Sequence, residues 1–375
     1  MSIKTLSKKM LAIVAAGAMT MGLAMPTSVF AAGGDTTTTV KEAYISKTFN
    51  TVIGKNETFS FKAKPVTGNT AEVTIPSISF SDSDTGSTTK RAKVSFPKWP
   101  DAGKYEYTVT ETAATPAITG EHQKMIMSQA EYTMDVYVTN GDSGLEIANI
   151  IVNKTKDDKG TSATGKVDIS DTDKNGFNFT NTYAQEAGTG TDPTNPDPTY
   201  KTDGSLNVTK AINANGGTLD TKKAFDFTAT FTFPKGTDAT TLGGVKDADG
   251  KIITINEDGT YKFTLTANGN MKFTGVPVGT QISVVESATP NYKGSAESVF
   301  NGQKQTPVEA SKYNTAFNVA NTLGQKQNKV DVTNTYDYVP TTGIIMNTLP
   351  YVLMIALCGA ALMAFVAFKR RRLQK

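Results

Sequence analysis

Six residues of this chain, three in each half, are inert in water and reactive in a dry interior: Lys47, Glu111 and Asn181, then Lys210, Glu286 and Asn334. In water a lysine is protonated and a carboxamide is a poor electrophile. Inside an aromatic-lined core, desolvation disfavours charge on both the lysine and the glutamate. A neutral amine can then attack the asparagine side-chain carbonyl. A protonated glutamic acid can hydrogen-bond the carbonyl oxygen, polarise it, and relay protons as ammonia leaves. The product is a Lys–Asn isopeptide bond that needs no external enzyme, because the folded core supplies the proximity.

Repetition singles these residues out. Ile45-Ser46-Lys47 in the first half matches Val208-Thr209-Lys210 in the second. Val109-Thr110-Glu111 matches Val284-Val285-Glu286, and each follows a proline and a glycine, Pro100 and Gly103 or Pro277 and Gly279. Phe179-Thr180-Asn181-Thr182-Tyr183 matches Val332-Thr333-Asn334-Thr335-Tyr336. Each half thus carries Lys on its first strand, Glu on a middle strand and Asn on its last. Any one of them alone reads as a polar group at a strand edge, since charged residues are seldom buried without a partner. Phe317-Asn318-Val319-Ala320-Asn321-Thr322 also reads as a strand ending in Asn-Thr, so Asn321 competes with Asn334. Asn334 is preferred because it repeats the Thr-Asn-Thr-Tyr of the first half and lies nearest the domain end.

The elements that must position these residues are strands. Thr58-Phe59-Ser60-Phe61-Lys62, Tyr105-Glu106-Tyr107-Thr108-Val109 and Tyr132-Thr133-Met134-Asp135-Val136-Tyr137-Val138 alternate polar and apolar residues with period two. Gly, Asn and Asp separate such segments, as expected of half-buried strands. Their close spacing predicts a β-sandwich, and no amphipathic helix is expected outside the termini. Residues 184–200 contain Gly188-Thr189-Gly190-Thr191-Asp192-Pro193-Thr194-Asn195-Pro196-Asp197-Pro198, which offers no apolar side chain to bury and reads as a flexible linker. It divides the chain into all-β domains over 40–183 and 201–337, each of ordinary domain size.

The ends carry targeting signals. Residues 1–31 combine Lys4, Lys8 and Lys9 with an apolar stretch from Met10 to Met25 and small Ala31, which predicts a signal peptide cleaved after Ala31. The apolar stretch is shorter than a membrane span. At the other end, Val339-Pro340-Thr341-Thr342-Gly343 precedes an apolar run over 344–368, expected to be a transmembrane helix. The basic tail over 369–375, with Lys369, Arg370, Arg371, Arg372 and Lys375, should stay cytoplasmic. This order of motif, span and basic tail resembles the cell-wall sorting signal of Gram-positive surface proteins, of the form Leu-Pro-x-Thr-Gly, with Val339 in place of Leu. It implies cleavage by a sortase between Thr342 and Gly343.

Composition fits a secreted, surface-exposed chain. The single cysteine, Cys358, lies in the predicted span, so the ectodomain has no disulfide and needs another source of toughness. The formal charge is +3, but without residues 1–31 and 343–375 there remain 30 Lys/Arg against 35 Asp/Glu, or −5. Such a surface has no basic patch for nucleic acid. The one histidine, His122, reads as a solvated loop residue and leaves little material for a metal site or a His-based triad. No metal and no cofactor are expected.

The whole ectodomain resembles the FctA-type major (backbone) pilin of group A streptococci, built from two tandem immunoglobulin-like domains of the collagen-adhesin B type. Tyr107-Thr108-Val109-Thr110-Glu111 and Ala130-Glu131-Tyr132-Thr133-Met134-Asp135-Val136-Tyr137-Val138 look like its middle strands. Asn334-Thr335-Tyr336-Asp337-Tyr338-Val339-Pro340 looks like its junction between last strand and sorting motif. The resemblance implies a Lys47–Asn181 bond assisted by Glu111 and a Lys210–Asn334 bond assisted by Glu286. It also implies that a class C pilus sortase joins Thr342 of one subunit to a lysine of the next, giving a head-to-tail polymer of identical subunits. A housekeeping sortase would attach the polymer to peptidoglycan, with minor or tip pilins as possible additional partners. The acceptor matching the family is Lys174, in Asp173-Lys174-Asn175-Gly176-Phe177, where Asn175-Gly176 reads as a turn that exposes it. Lys166 is the nearest rival, and Lys98, in Phe96-Pro97-Lys98, is a third.

Two functions from different classes fit this reading: a shaft pilin polymerised by sortase, and a monomeric wall-anchored adhesin built from the same domains. An enzyme is not expected, because no nucleophile–base pair can be read beyond the self-reacting sets.

Overall fold

The computed structural model describes residues 40–66, 68–170, 176–214, 218–337 and 353–363. Period-two patterning gives strands nearly throughout. The first domain runs β1 (Tyr44–Thr51), β2 (Glu57–Pro65), β3 (Ile78–Phe80), β4 (Gly86–Lys93) and β5 (Gly103–Thr115). It continues with β6 (Gln123–Ile126), β7 (Glu131–Gly141), β8 (Gly144–Lys156), β9 (Ser162–Val167) and β10 (Asn178–Gln185). One sheet has the order β4-β1-β10-β6 and the other β3-β2-β5-β7-β8-β9. Their inner faces enclose Phe49, Phe59, Phe61, Tyr107, Val109, Tyr132, Phe177 and Phe179.

After the short helix α1 (Tyr200–Asp203), the second domain runs β11 (Leu206–Ala214), β12 (Phe225–Thr232), β13 (Thr260–Leu265), β14 (Asn270–Phe273) and β15 (Gln281–Glu286). Then follow β16 (Tyr292–Phe300), β17 (Gln303–Lys304), β18 (Val308–Glu309), β19 (Phe317–Thr322) and β20 (Lys329–Tyr336). Sheet β14-β11-β20-β16-β17, with β18 on β16, faces sheet β13-β12-β15-β19. Both domains are thus two-sheet β-sandwiches. In each, the first and last long strands lie side by side and parallel, β1 with β10 and β11 with β20. Parallel neighbours cannot be joined by a hairpin, so the rest of each domain forms the connection.

The expectation of a flexible linker over 184–200 does not hold. Gln185, Glu186, Ala187 and Thr189 are buried. The segment substitutes backbone hydrogen bonds for the missing apolar side chains: Ala187 N–H donates to Val276 O (2.9 Å), Gly188 N–H to Gly324 O (3.1 Å) and Gly190 N–H to Gln325 O (2.7 Å). Val278 N–H in turn donates to Gln185 O at 2.8 Å. Gly188 has φ 82°, and a Cβ there would lie 2.1 Å from Gly204 O, so the close approach requires glycine. His122 is likewise not a solvated loop residue. Its Nδ1 lies 2.7 Å from Glu186 Oε2, and its ring stands edge-on to Tyr200 at 4.8 Å. Glu186 Oε1 also accepts from Tyr200 O–H (2.7 Å), Ser205 O–H (2.8 Å) and Gly275 N–H. One buried carboxylate therefore ties the first domain, the connecting segment and the second domain together.

Among the described residues no helix is long and apolar enough to cross a membrane. Of the predicted span over 344–368, residues 353–363 are described and are helical and exposed. The remainder, the signal peptide over 1–31, the motif over 339–343 and the tail over 369–375 lie outside the described residues.

Candidate functional site

Lys47 is the fourth residue of β1 and pairs with Phe179 on β10, so Asn181, two residues further along β10, projects from the same face. Glu111 comes from β5 of the opposing sheet, where Tyr107 and Val109 set the inward phase of the alternation. The register of β2 with β5 shifts just past Glu111, between Ser60 and Phe61. Such bulges re-aim the neighbouring side chains.

The three side chains meet in the core. Lys47 Nζ lies 2.7 Å from Glu111 Oε1, with both side chains 0% exposed. This approach is close but off the hydrogen-bonding direction, and among the described residues Lys47 Nζ has no aligned acceptor. The ammonium end sits over the Phe59 ring at 4.3 Å. Asn181 Nδ2 donates to the same Glu111 Oε1 at 3.0 Å. Burial pulls Lys47 down to about 8, with the Glu111 charge opposing the shift. Burial pushes Glu111 up, again against the opposing charge. Both shifts favour the neutral amine and the neutral acid.

The second domain repeats the geometry. Lys210 on β11 pairs with Val332, and Asn334 stands two residues beyond it on β20. Lys210 Nζ donates to Glu286 Oε1 (3.3 Å) and Oε2 (3.2 Å), and these side chains are 0% and 2% exposed. Asn334 Nδ2 donates to Glu286 Oε1. Lys210 Nζ lies 4.0 Å from the Phe225 ring centroid and 5.8 Å from that of Phe227. Burial pulls Lys210 down to about 8 and pushes Glu286 up. Gly294, opposite Asn334, leaves room for the Phe317 ring; a Cβ there would lie 2.2 Å from that ring and 3.1 Å from Asn334 Oδ1.

The structure separates the competing asparagines. Asn321 lies on β19, in the sheet opposite β20, and its Oδ1 accepts from Thr322 N–H at 2.8 Å. Asn334 is the residue placed against Glu286. Of the lysines considered as acceptors, Lys166 on β9 and Lys98 in a loop are exposed. Lys174, like Thr342 and Gly343, lies outside the described residues.

One role differs from expectation. The asparagine oxygen of the first domain is not held by the glutamic acid: Asn181 Oδ1 accepts from the backbone N–H of Ser128 at 2.7 Å. A backbone N–H can only donate, so it selects the oxygen and turns Nδ2 towards Glu111. Ser128 lies in the crossing between β6 and β7. No side-chain type marks a backbone donor, so sequence reading missed it. In the second domain Asn334 Oδ1 is buried with no hydrogen-bond partner among the described residues.

Fold and sites together define a protein of two tandem β-sandwich domains, each with a buried Lys–Glu–Asn set bridging its two sheets. Residues 43–184 match the FctA family, described as the Spy0128-like isopeptide containing domain. Residues 204–336 match DUF7601, a domain of unknown function. Among solved structures, the chain is similar to the crystal structure of the major pilin from Streptococcus pyogenes, at 20% identity and a TM-score of 0.32, covering 80% of this chain and 100% of that one. The major pilin protein T-13 from Streptococcus pyogenes matches at 16% identity and a TM-score of 0.30, over 80% of this chain and 98% of that one. A bacterial adhesin from Mobiluncus mulieris, containing intramolecular disulfide, isopeptide and ester bond cross-links, matches at 10% identity and a TM-score of 0.24, over 76% and 86%. No curated protein matches the chain.

Proposed function

We propose that this chain is the shaft subunit of a covalent surface pilus, cross-linked internally by two self-made Lys–Asn isopeptide bonds and polymerised by a sortase. The observation that carries the reading is the recurrence of a buried lysine and asparagine at the same strand offset in both domains, each set against a buried glutamate of the opposing sheet. Burying such a set is expensive unless the groups neutralise or react.

The chemistry follows from the placement. Proton transfer from Lys47 to Glu111 gives a neutral amine and a neutral acid. The Nζ lone pair attacks Asn181 Cγ, and the negative charge developing on Oδ1 falls against the Ser128 N–H. The neutral Glu111 delivers its proton to Nδ2 and, as a carboxylate, takes one from the attacking nitrogen. The Cγ–Nδ2 bond breaks, ammonia leaves, and an amide joins the two side chains. Lys210, Glu286 and Asn334 follow the same sequence. The surrounding phenylalanines keep water away, so the lysine amine competes with no other nucleophile.

The deciding measurement is the intact mass of the purified ectodomain. The expected value lies two ammonia molecules below the sequence mass, with Glu111→Ala and Glu286→Ala each restoring one. An unshifted mass would sink the internal-bond reading. Restoration of both by one substitution would instead refute the assignment of one glutamate to each domain.

A further inference from the structure

Besides Lys47, Glu111 and Asn181, the first site has an outer layer with no counterpart at the second among the described residues. Ser128 Oγ donates to Asp158 Oδ1 at 2.5 Å and accepts from Ala130 N–H at 3.1 Å. Asp158 sits in the turn between β8 and β9, and its Oδ1 also accepts from Thr180 N–H at 2.8 Å, one residue before Asn181. Its backbone O accepts from Gln129 N–H at 3.0 Å. The turn is itself fastened: Asp157 Oδ1 accepts from Lys159 N–H and Thr161 N–H, both at 2.9 Å. Asp158 thus grips the segment that supplies the donor and the strand that supplies the acceptor.

We infer that Asp158 is a positioning residue for the first cross-link: through Ser128 and Thr180 it holds the Ser128 backbone N–H on the Asn181 side-chain oxygen, so that this N–H serves as an oxyanion donor. The inference rests on the isopeptide reading and deepens it. It makes the two domains unequal, because Asn334 Oδ1 has no such donor among the described residues. The first bond therefore forms faster on folding than the second. Losing one preorganised oxyanion donor slows related reactions by about 10²–10³-fold, and that sets the scale of the difference.

Asp158 also acts on the nucleophile. The charged groups acting on Lys47 are Glu111 on β5 and Asp158 on the β8–β9 turn, while Lys90, its partner on β4, is paired with Asp84 at 2.7 Å. The Asp158 carboxylate favours the charged form of Lys47. Removing its charge while keeping a hydrogen-bond acceptor makes the amine neutral at lower pH.

The experiment follows ammonia loss by mass spectrometry while the ectodomain refolds from denaturant, with each domain's bond resolved by digestion. In the wild type the Lys47–Asn181 bond should appear before the Lys210–Asn334 bond. Asp158→Ala should slow the first bond about tenfold or more and leave the second unchanged. Asp158→Asn, which still accepts from Ser128 and Thr180, should restore most of the rate and move its pH profile to lower pH. A purely structural role for Asp158 does not move that profile. Wild-type rates in Asp158→Ala, or an unshifted profile in Asp158→Asn, overturn the inference while leaving the bonds themselves intact. Absence of both bonds in the wild type overturns the isopeptide reading instead. Should Asp158→Ala fail to refold, Ser128→Ala cuts the same link at its other end, and an unslowed first bond there refutes the positioning role.

Discussion

Asn181 stands two residues beyond the partner of Lys47 on the adjoining parallel strand, and Asn334 stands at the same offset from Lys210. Two residues along a strand return to the same face, so amine and carboxamide both point into the core. The pairing joins the first strand of each domain to its last. A bond between them encloses nearly the whole domain, and pulling on either end loads that bond before the sheets can separate.

The first consequence is stability. By analogy with a disulfide that closes a loop of this length, the proposed Lys47–Asn181 bond would contribute on the order of 4–5 kcal/mol, less any native strain. Glu111→Ala should block the proposed bond, and it leaves a buried lysine without its carboxylate. The expected result is a steep fall in the melting temperature of the first domain and faster proteolysis. A melting profile like the wild type's, in protein shown by mass to lack the bond, would refute this.

The uncross-linked pair should also show a distinctive pH response. In Asn181→Ala, Lys47 and Glu111 remain buried and titratable. Burial raises Glu111 above its ordinary 4.5. As pH rises from there through the raised value, the folded chain binds more protons than the unfolded chain, and stability falls. Lys47 is held at about 8 against an ordinary 10.5. Between those values the unfolded chain binds more protons, so stability rises with pH. Urea midpoints should fall as pH rises above 4.5 and recover between about 8 and 10.5. In the cross-linked protein Lys47 is an amide, and the alkaline recovery should be missing; its presence there counts against the bond.

The domain junction makes a separate prediction. Glu186→Ala removes the acceptor shared by Tyr200, Ser205 and Gly275 N–H and the partner of His122. Each buried donor left unpaired costs about 1–3 kcal/mol. Small-angle scattering should show a wider spread of domain arrangements, and protease should cut within 187–199. Both internal bonds should still form, since neither site touches Glu186. Unchanged scattering and protease resistance would show that the backbone bonds suffice without it.

In the proposed polymer, Lys174 is the expected acceptor of Thr342. Lys174→Arg keeps the charge and removes the primary amine. In cells expressing a class C pilus sortase and a housekeeping sortase, ladders of covalent multimers should vanish on denaturing gels while wall-anchored monomer and both internal bonds persist. Surviving ladders would move the acceptor to Lys166 or Lys98. If the wild type itself forms no ladder, the anchored-monomer function replaces the shaft. A head-to-tail contact of this kind builds an open filament unless its rotation happens to close a ring.

How much of this was legible in the sequence follows from which interactions are local. Period-two alternation around Tyr107 and Tyr132 predicts strands because the pleat imposes it on any half-buried strand. The repeated contexts of Lys47 and Lys210, Glu111 and Glu286, and Asn181 and Asn334 are likewise carried by the residues themselves. What the sequence does not encode locally is which strands face which. The choice of Asn334 over Asn321 depends on β20 lying beside β11 while β19 sits in the other sheet. The Ser128 donor is a backbone group that any residue but proline could supply, so only the path of the β6–β7 crossing identifies it. The segment around Glu186 reads as flexible because its side chains bury so little apolar area. Its order comes from hydrogen bonds to Val276, Gly324 and Gln325, distant in sequence, which exist only once the second domain has folded against it.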